Sequence, residues 1–140
     1  MVIIRKAESK DLKCINFFLI QMGMLEFDEK SFEQSYRFIY VLEKDQKINA
    51  FISFIILLDE IELEAIYTKP ESRQNGYGMY LMQQMEDKAK EYNSKSIFLE
   101  VRENNKIAQQ LYQKNGYLVI NQRKNYYGEE NGLMMRKELR

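Results

Sequence analysis

The stretch from Ile66 to Gly78 reads IYTKPESRQNGYG, and the layout of the rest of the chain depends on it. Its first three residues close a run in which Ile61, Leu63, Ala65 and Tyr67 alternate with Glu62, Glu64, Ile66 and Thr68, the period-2 pattern of a strand. Pro70 ends that strand. Two glycines one residue apart, Gly76 and Gly78, then stand directly ahead of a helical pattern in which Tyr77, Tyr80, Leu81, Met85 and Ala89 share one face, running to about Tyr92. Such a step is either a plain turn or a place where the free N–H groups of the first helical turn, carrying about half a positive charge, hold an anion.

After the helix, KSIFLEV (Lys95–Val101) is nearly continuous apolar sequence, the pattern of a strand buried on both faces in a parallel pairing. Strand, glycine step, helix and strand in succession make the two strands parallel neighbours or near neighbours under the right-handed crossover rule. Upstream, residues 2–7 read as a strand. Leu12, Ile15, Leu19 and Met22 then mark a helix with Ser9 as its N-cap. A weaker helical segment from about Asp28 to Phe38 follows. Tyr40–Glu43 and Ile48–Leu58 flank the polar KDQK as a hairpin, and a turn at Asp59-Glu60 leads into the strand before Pro70. Downstream, Asn104 reads as the N-cap and Gly116 as the stop of a short helix. Two last strands, about Tyr117–Arg123 and Leu133–Leu139, flank the loop NYYGEENG. The fold class expected is α+β (mixed α/β): antiparallel first, one parallel crossover, then an antiparallel ending.

A length of 140 residues suits a single domain, 1–140, and 45% apolar with 30% charged residues is an ordinary globular composition. Twenty-one basic residues balance twenty-one acidic ones, so no overall positive field exists to gather nucleic acid or an anionic membrane. With no histidine and one cysteine, the expectation is no metal site and no intramolecular disulfide, Cys14 being a helix packing residue. MVIIRKA is too short and too soon charged for a signal peptide, and no stretch approaches the ~20 apolar residues of a membrane span, so a cytoplasmic location is expected.

Two nucleotide-binding loops fail on sequence. A Walker loop needs Lys and then Ser/Thr after its last glycine, where Gly78 is followed by Met79 and Tyr80; a dinucleotide fingerprint needs a third glycine at position 81, which is Leu81. The pattern Arg/Gln-x-x-Gly-x-Gly/Ala, met by Arg73, Gly76 and Gly78, is joined downstream by Asn105, Ala108, Leu111, Tyr112, Gly116 and Tyr117 in LEVRENNKIAQQLYQKNGY (Leu99–Tyr117). The two together closely resemble the GNAT superfamily of acetyl-CoA-dependent N-acetyltransferases over roughly residues 48–139. Within it the chain looks most like the ribosomal-protein N-terminal alanine acetyltransferases. It departs from them in a shorter end and in the acidic strand IELEAIYT, which bears on the acceptor more than on the chemistry.

The resemblance implies a three-layer fold: a twisted, mostly antiparallel sheet of six or seven strands with one parallel crossover, flanked by about four helices. It implies acetyl-CoA as co-substrate, with the backbone of Gln74, Asn75, Gly76, Tyr77 and Gly78 on the pyrophosphate and Arg73 adding charge. Ile66, Tyr67 and Thr68 would pair with the amides of the pantetheine arm as a pseudo-strand, and a splayed N–H near Ile66 would polarise the thioester carbonyl. Asn105 would hold the arm, Ala108 leave it room, and Tyr112 stand near its sulfur; read without the resemblance, Asn105 is part of a cap and Tyr112 a core aromatic. An attacking amine must be neutral, and Glu100, the one charge in SIFLEV, is the candidate base, with Tyr112 the candidate acid toward the leaving thiolate. Glu64 is a rival base, or Glu62 and Glu64 form a solvated strand face. Tyr126 and Tyr127 either wall the acceptor site or serve as ordinary surface or core aromatics.

The activity expected is acetyl transfer by direct attack of a primary amine, foremost the N-terminal α-amine of a ribosomal protein. Alternatives are a small amine or polyamine acceptor, suggested by Glu60, Glu62 and Glu64, and a non-catalytic acetyl-CoA-binding module. Nucleic acid and membrane are not expected partners, and the oligomeric state is left open.

Overall fold

In the computed structural model, which describes residues 1–140, one seven-stranded sheet takes in strands from both ends of the chain. The strands are β1 (Val2–Lys6), β2 (Arg37–Lys44), β3 (Lys47–Leu57), β4 (Glu60–Thr68), β5 (Ser96–Arg102), β6 (Leu118–Tyr127) and β7 (Glu130–Glu138). Their order is β1-β2-β3-β4-β5-β7-β6, and every neighbouring pair is antiparallel except β4 with β5. The parallel pair is the one joined by the glycine step and its helix, α2 (Tyr77–Glu91).

Tight turns set the antiparallel registers. Asp45 and Gln46 both adopt positive φ (54° and 63°) between β2 and β3, the two-residue turn whose twist matches the flanking strands. Gly128, at φ 73°, does similar work between β6 and β7, where Tyr127 pairs with Glu130. The loop expected over NYYGEENG is therefore only Gly128-Glu129, and Tyr126 and Tyr127 belong to β6.

Helices cover both faces. On one, α2 and α3 (Lys106–Lys114) bury Leu81, Met82, Met85, Ala89 and Tyr112 against Ile61, Leu63, Ile97, Leu99, Val101 and Met135. Met82 takes the inward place expected of Tyr80, which is 53% exposed. On the other face, α1 (Leu12–Gln21) packs Ile15, Phe18 and Leu19 on Ile39, Val41, Phe51 and Ala65. There are three α-helices rather than about four. The segment after Asp28 closes after a single turn, Glu29–Phe32, because Asp28 and Ser31 cap each other and Arg37 already pairs with Ile55. No helix is long and apolar enough to cross a membrane.

The first strand and first helix are tied by charge. Arg5 reaches both oxygens of the buried Asp11 at 2.8 and 2.9 Å, and the Glu8 N–H donates to Asp11 at 2.8 Å; Ser9 is not the cap but opens a single 3-10 turn, Ser9–Asp11, capped by Glu8, and Asp11 is the N-cap of α1. Burial pushes the Asp11 carboxyl up, but the bonds from Arg5 and Glu8 outweigh it and hold it below its usual range. A carboxylate of depressed folded pKa contributes stability above its unfolded pKa and loses that contribution as pH falls through the folded one. Asp11→Asn should lower the unfolding free energy by about 2 kcal/mol at pH 7, read by urea denaturation, and the two proteins should converge in strong acid.

Candidate active site

The site begins with one surplus residue. Leu63 pairs with Phe54 and Ala65 with Ser53, so Glu64 has no partner of its own and forms a bulge in β4. A surplus residue shifts the alternation of side chains by one. Ile61 and Leu63 pack toward α2 together with Ile66, while Ala65 and Tyr67 turn to the α1 side, correcting the uninterrupted alternation expected from sequence. Glu64 pins the bulge: Arg37 donates to both its oxygens at 2.9 Å and Ser53 Oγ at 2.8 Å.

Past the start of β4 the sheet opens. β4 and β5 pair over three residues only, Glu60–Glu62 with Ser96–Phe98, whereas β4 stays on β3 as far as Thr68 opposite Ala50. Leu63–Thr68 therefore present a strand edge that β5 does not occupy, the kind of edge to which an extended, amide-bearing chain can add. The side chain of Tyr67 is not part of that edge, since its ring lies 5.1 Å from that of Phe18 on the α1 side; only its backbone is available there.

The glycine step stands at the mouth of this gap. Gln74 (φ 67°) and Gly76 (φ 77°) are both left-handed, and the first bond of α2 runs from Tyr80 N–H to Gly76 C=O. The N–H groups of Tyr77, Gly78 and Met79 consequently have no partner within the helix. Asn75 braces the turn by donating to the carbonyls of Ser72 and Arg73 at 2.8 and 3.2 Å. Gly78 lies close to α3: a Cβ there would come 3.3 Å from Leu111 Cδ2, which would have to yield slightly. Tyr77 is buried in the core. Arg73 turns back onto β4, its Nε donating to Thr68 C=O at 2.9 Å and its guanidinium 5.5 Å from the Tyr67 ring centre.

The downstream motif divides between site and core. Asn105, not Asn104, is the N-cap of α3, its Oδ1 accepting from Ala108 N–H at 3.1 Å. Gly116 (φ 91°) ends that helix, and Tyr117 is fully buried. Tyr112 is 6% exposed, and burial, with Tyr127 nearby, pushes its phenol well above the ordinary range, so it is protonated at neutral pH.

Ile97, Leu99 and Val101 face α2, which puts Glu100 on the opposite face of β5. Burial pushes its carboxyl up against a partial pull from Arg123, whose Nε lies 3.0 Å from Oε1; Oε2 is buried without a hydrogen-bond partner. Glu62 has no bond or ion pair, and burial, then Glu64 and Glu100, raise it too. The row Glu60, Glu62, Glu64 is not a uniform acidic face. Glu60 is held by Ser96 at 2.6 Å and by Arg136, Glu64 by Arg37, and only Glu62 is unpaired. Tyr127 is pushed up by burial, then by Tyr126 and Glu100, and Arg102 lies 4.3 Å over its ring. The sequence carried no signal for Arg123, because its partner Glu100 is reached across β7.

The chain belongs to the acetyltransferase (GNAT) family, whose model matches residues 8–117. It is an N-acetyltransferase of that type. A Bacillus subtilis (strain 168) protein with the provisional name ribosomal protein bS18-alanine N-acetyltransferase is 33% identical over 111 residues, 78% of this chain and 74% of its own. The Escherichia coli (strain K12) ribosomal protein bS18-alanine N-acetyltransferase is 28% identical over 139 residues, 94% of each chain. The crystal structure of the E. coli enzyme matches with a TM-score of 0.87 at 25% identity, covering 99% of this chain and 94% of that one. A Bacillus anthracis str. Ames protein provisionally named a streptothricin acetyltransferase, solved in complex with acetyl coenzyme A, matches with a TM-score of 0.85 at 20% identity over 100% and 99% of the two chains, a likeness of fold.

Nothing lies within 4 Å of a Cβ built on Gly76, so its requirement is conformational. Gly76→Ala, forced into the left-handed region, should lower the unfolding free energy by about 1 kcal/mol, measured by chemical denaturation.

Proposed function

We propose that the protein transfers acetyl from acetyl-CoA to the N-terminal α-amine of a protein, foremost a ribosomal protein, in the cytoplasm, with residues 1–140 acting as one catalytic domain. What carries this reading is the gap between β4 and β5, with a shielded carboxyl, Glu100, on one face of the sheet and a buried phenol, Tyr112, on the other. The acceptor follows the relatives' named activity, matched along 94% of the chain. The polyamine alternative loses its motive, since Glu60 and Glu64 are already paired within the protein.

In this reading Ile66, Tyr67 and Thr68 offer backbone groups to the pantetheine amides, and the N–H groups of Gln74–Gly78 face the pyrophosphate. Arg73, turned onto Thr68, acts by its charge and by fixing the loop. Asn105 spends Oδ1 on its cap and keeps Nδ2 for the arm, beside Ala108. Glu100 takes a proton from the acceptor ammonium, directly or through water, and passes it to solvent. The neutral nitrogen forms its bond to the thioester carbonyl carbon as the C–S bond breaks. Tyr112 gives its proton to the departing sulfur and is restored by the second proton shed from nitrogen. The products are the amide and coenzyme A thiol, with one proton released. No acetylated residue of the enzyme is required.

A thiol-release assay against an N-terminal alanine peptide, an N-blocked lysine peptide and polyamines should show the α-amine peptide preferred. Preference for either of the others would overturn the acceptor, and coenzyme binding without turnover on any of them would overturn the enzyme. Glu100→Gln and Tyr112→Phe should each lower kcat on the order of a hundredfold or more with little change in acetyl-CoA affinity. Because burial raises Glu100 and a base must be unprotonated, kcat/KM should climb with pH through a limb above the usual glutamate value of about 4.3. That limb should vanish in Glu100→Gln.

A further inference from the structure

The two oxygens of Glu100 have different surroundings. Oε1 faces Nε of Arg123 at 3.0 Å, while Oε2 is buried and receives no hydrogen bond from the protein. Buried polar atoms in native proteins are nearly always hydrogen-bonded, so the protein itself fixes this carboxyl through one oxygen only. Arg123 is 45% exposed on β6, yet it is not free to wander. Its guanidinium lies 5.3 Å from the Tyr126 ring centre. Tyr126 in turn rests on Gly132 of β7, where a Cβ would fall 3.1 Å from Tyr126 Cβ. A glycine thus lets a tyrosine lie close to the sheet, and the tyrosine props the arginine against Glu100.

No other cation is paired with this carboxyl. The residue opposite Glu100 on β7 is Met134, which carries no charge. Glu62 on β4 and Tyr127 on β6 are the other titratable groups coupled to Glu100, Glu64 beyond Glu62 is neutralised by Arg37, and Arg102 of β5 lies over Tyr127. Glu62 can only make Glu100 harder to ionise. Arg123 is the group that opposes it.

We propose that Arg123 is a positioning residue for the reaction: by holding Oε1 it fixes the Glu100 carboxyl that takes the acceptor's proton. This rests on Glu100 being the base. Arg123 touches no reacting atom. Its hold does two things: it orients the carboxyl, and it keeps it ionised at a pH where burial alone would favour the acid form. Its side chain is on an exposed edge strand, so its replacement leaves the core intact.

The test compares wild type with Arg123→Gln, which removes the charge, and Arg123→Lys, which keeps it. Two readouts are taken: the ¹³C carboxyl titration of Glu100 by NMR, and the pH dependence of kcat/KM for the acceptor peptide at saturating acetyl-CoA. In Arg123→Gln both the titration and the acid limb should move to higher pH, so that activity falls on the order of threefold to tenfold more at the acid end than on the plateau. Arg123→Lys should return both most of the way. An unmoved Glu100 titration in Arg123→Gln, whatever the loss of rate, would overturn the positioning role. A titration that moves while the acid limb stays put would instead remove Glu100 as the base.

Discussion

Everything at this site depends on the separation of β4 from β5 after three paired residues. A parallel pair that stayed zipped would satisfy its own backbone and leave nothing for an extended substrate to bind. The separation has a local cause, because the bulge at Glu64 bends β4 and increases its twist while its pairing with β3 continues to Thr68. Bulges weaken a ladder, so this one needs support. Arg37 and Ser53 supply it through the side chain of the surplus residue itself. The glutamate that the sequence offered as a rival base thus has both oxygens bonded to Arg37 and one also to Ser53.

The opening also decides where charge can be used. The N-terminus of α2 stands at the mouth of the gap with N–H groups that the helix cannot satisfy, while Glu100 and Tyr112 lie on opposite faces of the sheet beside it. Burial acts in the same direction on both groups, and it suits both of the roles proposed for them. It makes the carboxyl a stronger base and keeps the phenol protonated. Glu60 and Glu64 carry their own cations, which leaves Glu62 as the one unpaired carboxylate on β4 beside Glu100.

Most of the layout was legible in the sequence, because hydrophobic period and turn residues report local geometry. The parallel crossover, the hairpins and the anion-ready glycine step followed from such signals, and the family from two motifs in order. What was not legible depended on long-range contacts. The bulge at Glu64 reverses which of Leu63, Ala65 and Tyr67 share a face, and nothing in IELEAIYT marks it. Asp28–Phe38 has helical spacing, but the pairing of Arg37 with Ile55 converts its end to strand. Asn104 and Asn105 are equally good caps on paper, and only the geometry of α3 chooses the second. Arg123 is invisible beside Glu100 until β7 is placed between them. The candidate site came from the family motif, whose members the fold distributes among helix caps, turn and core. Gly116 ends a helix, and Tyr117 and Tyr112 both lie in the core beneath it, their ring centres 6.1 Å apart.

In the proposed reading, coenzyme A lies along the free edge of β4 with its phosphates at the start of α2. Amide hydrogen–deuterium exchange on the full chain, with and without saturating coenzyme A, tests it directly. Protection confined chiefly to Ile66–Thr68 and Gln74–Met79 is the result predicted. Binding that leaves both segments exchanging as in the free protein would contradict it.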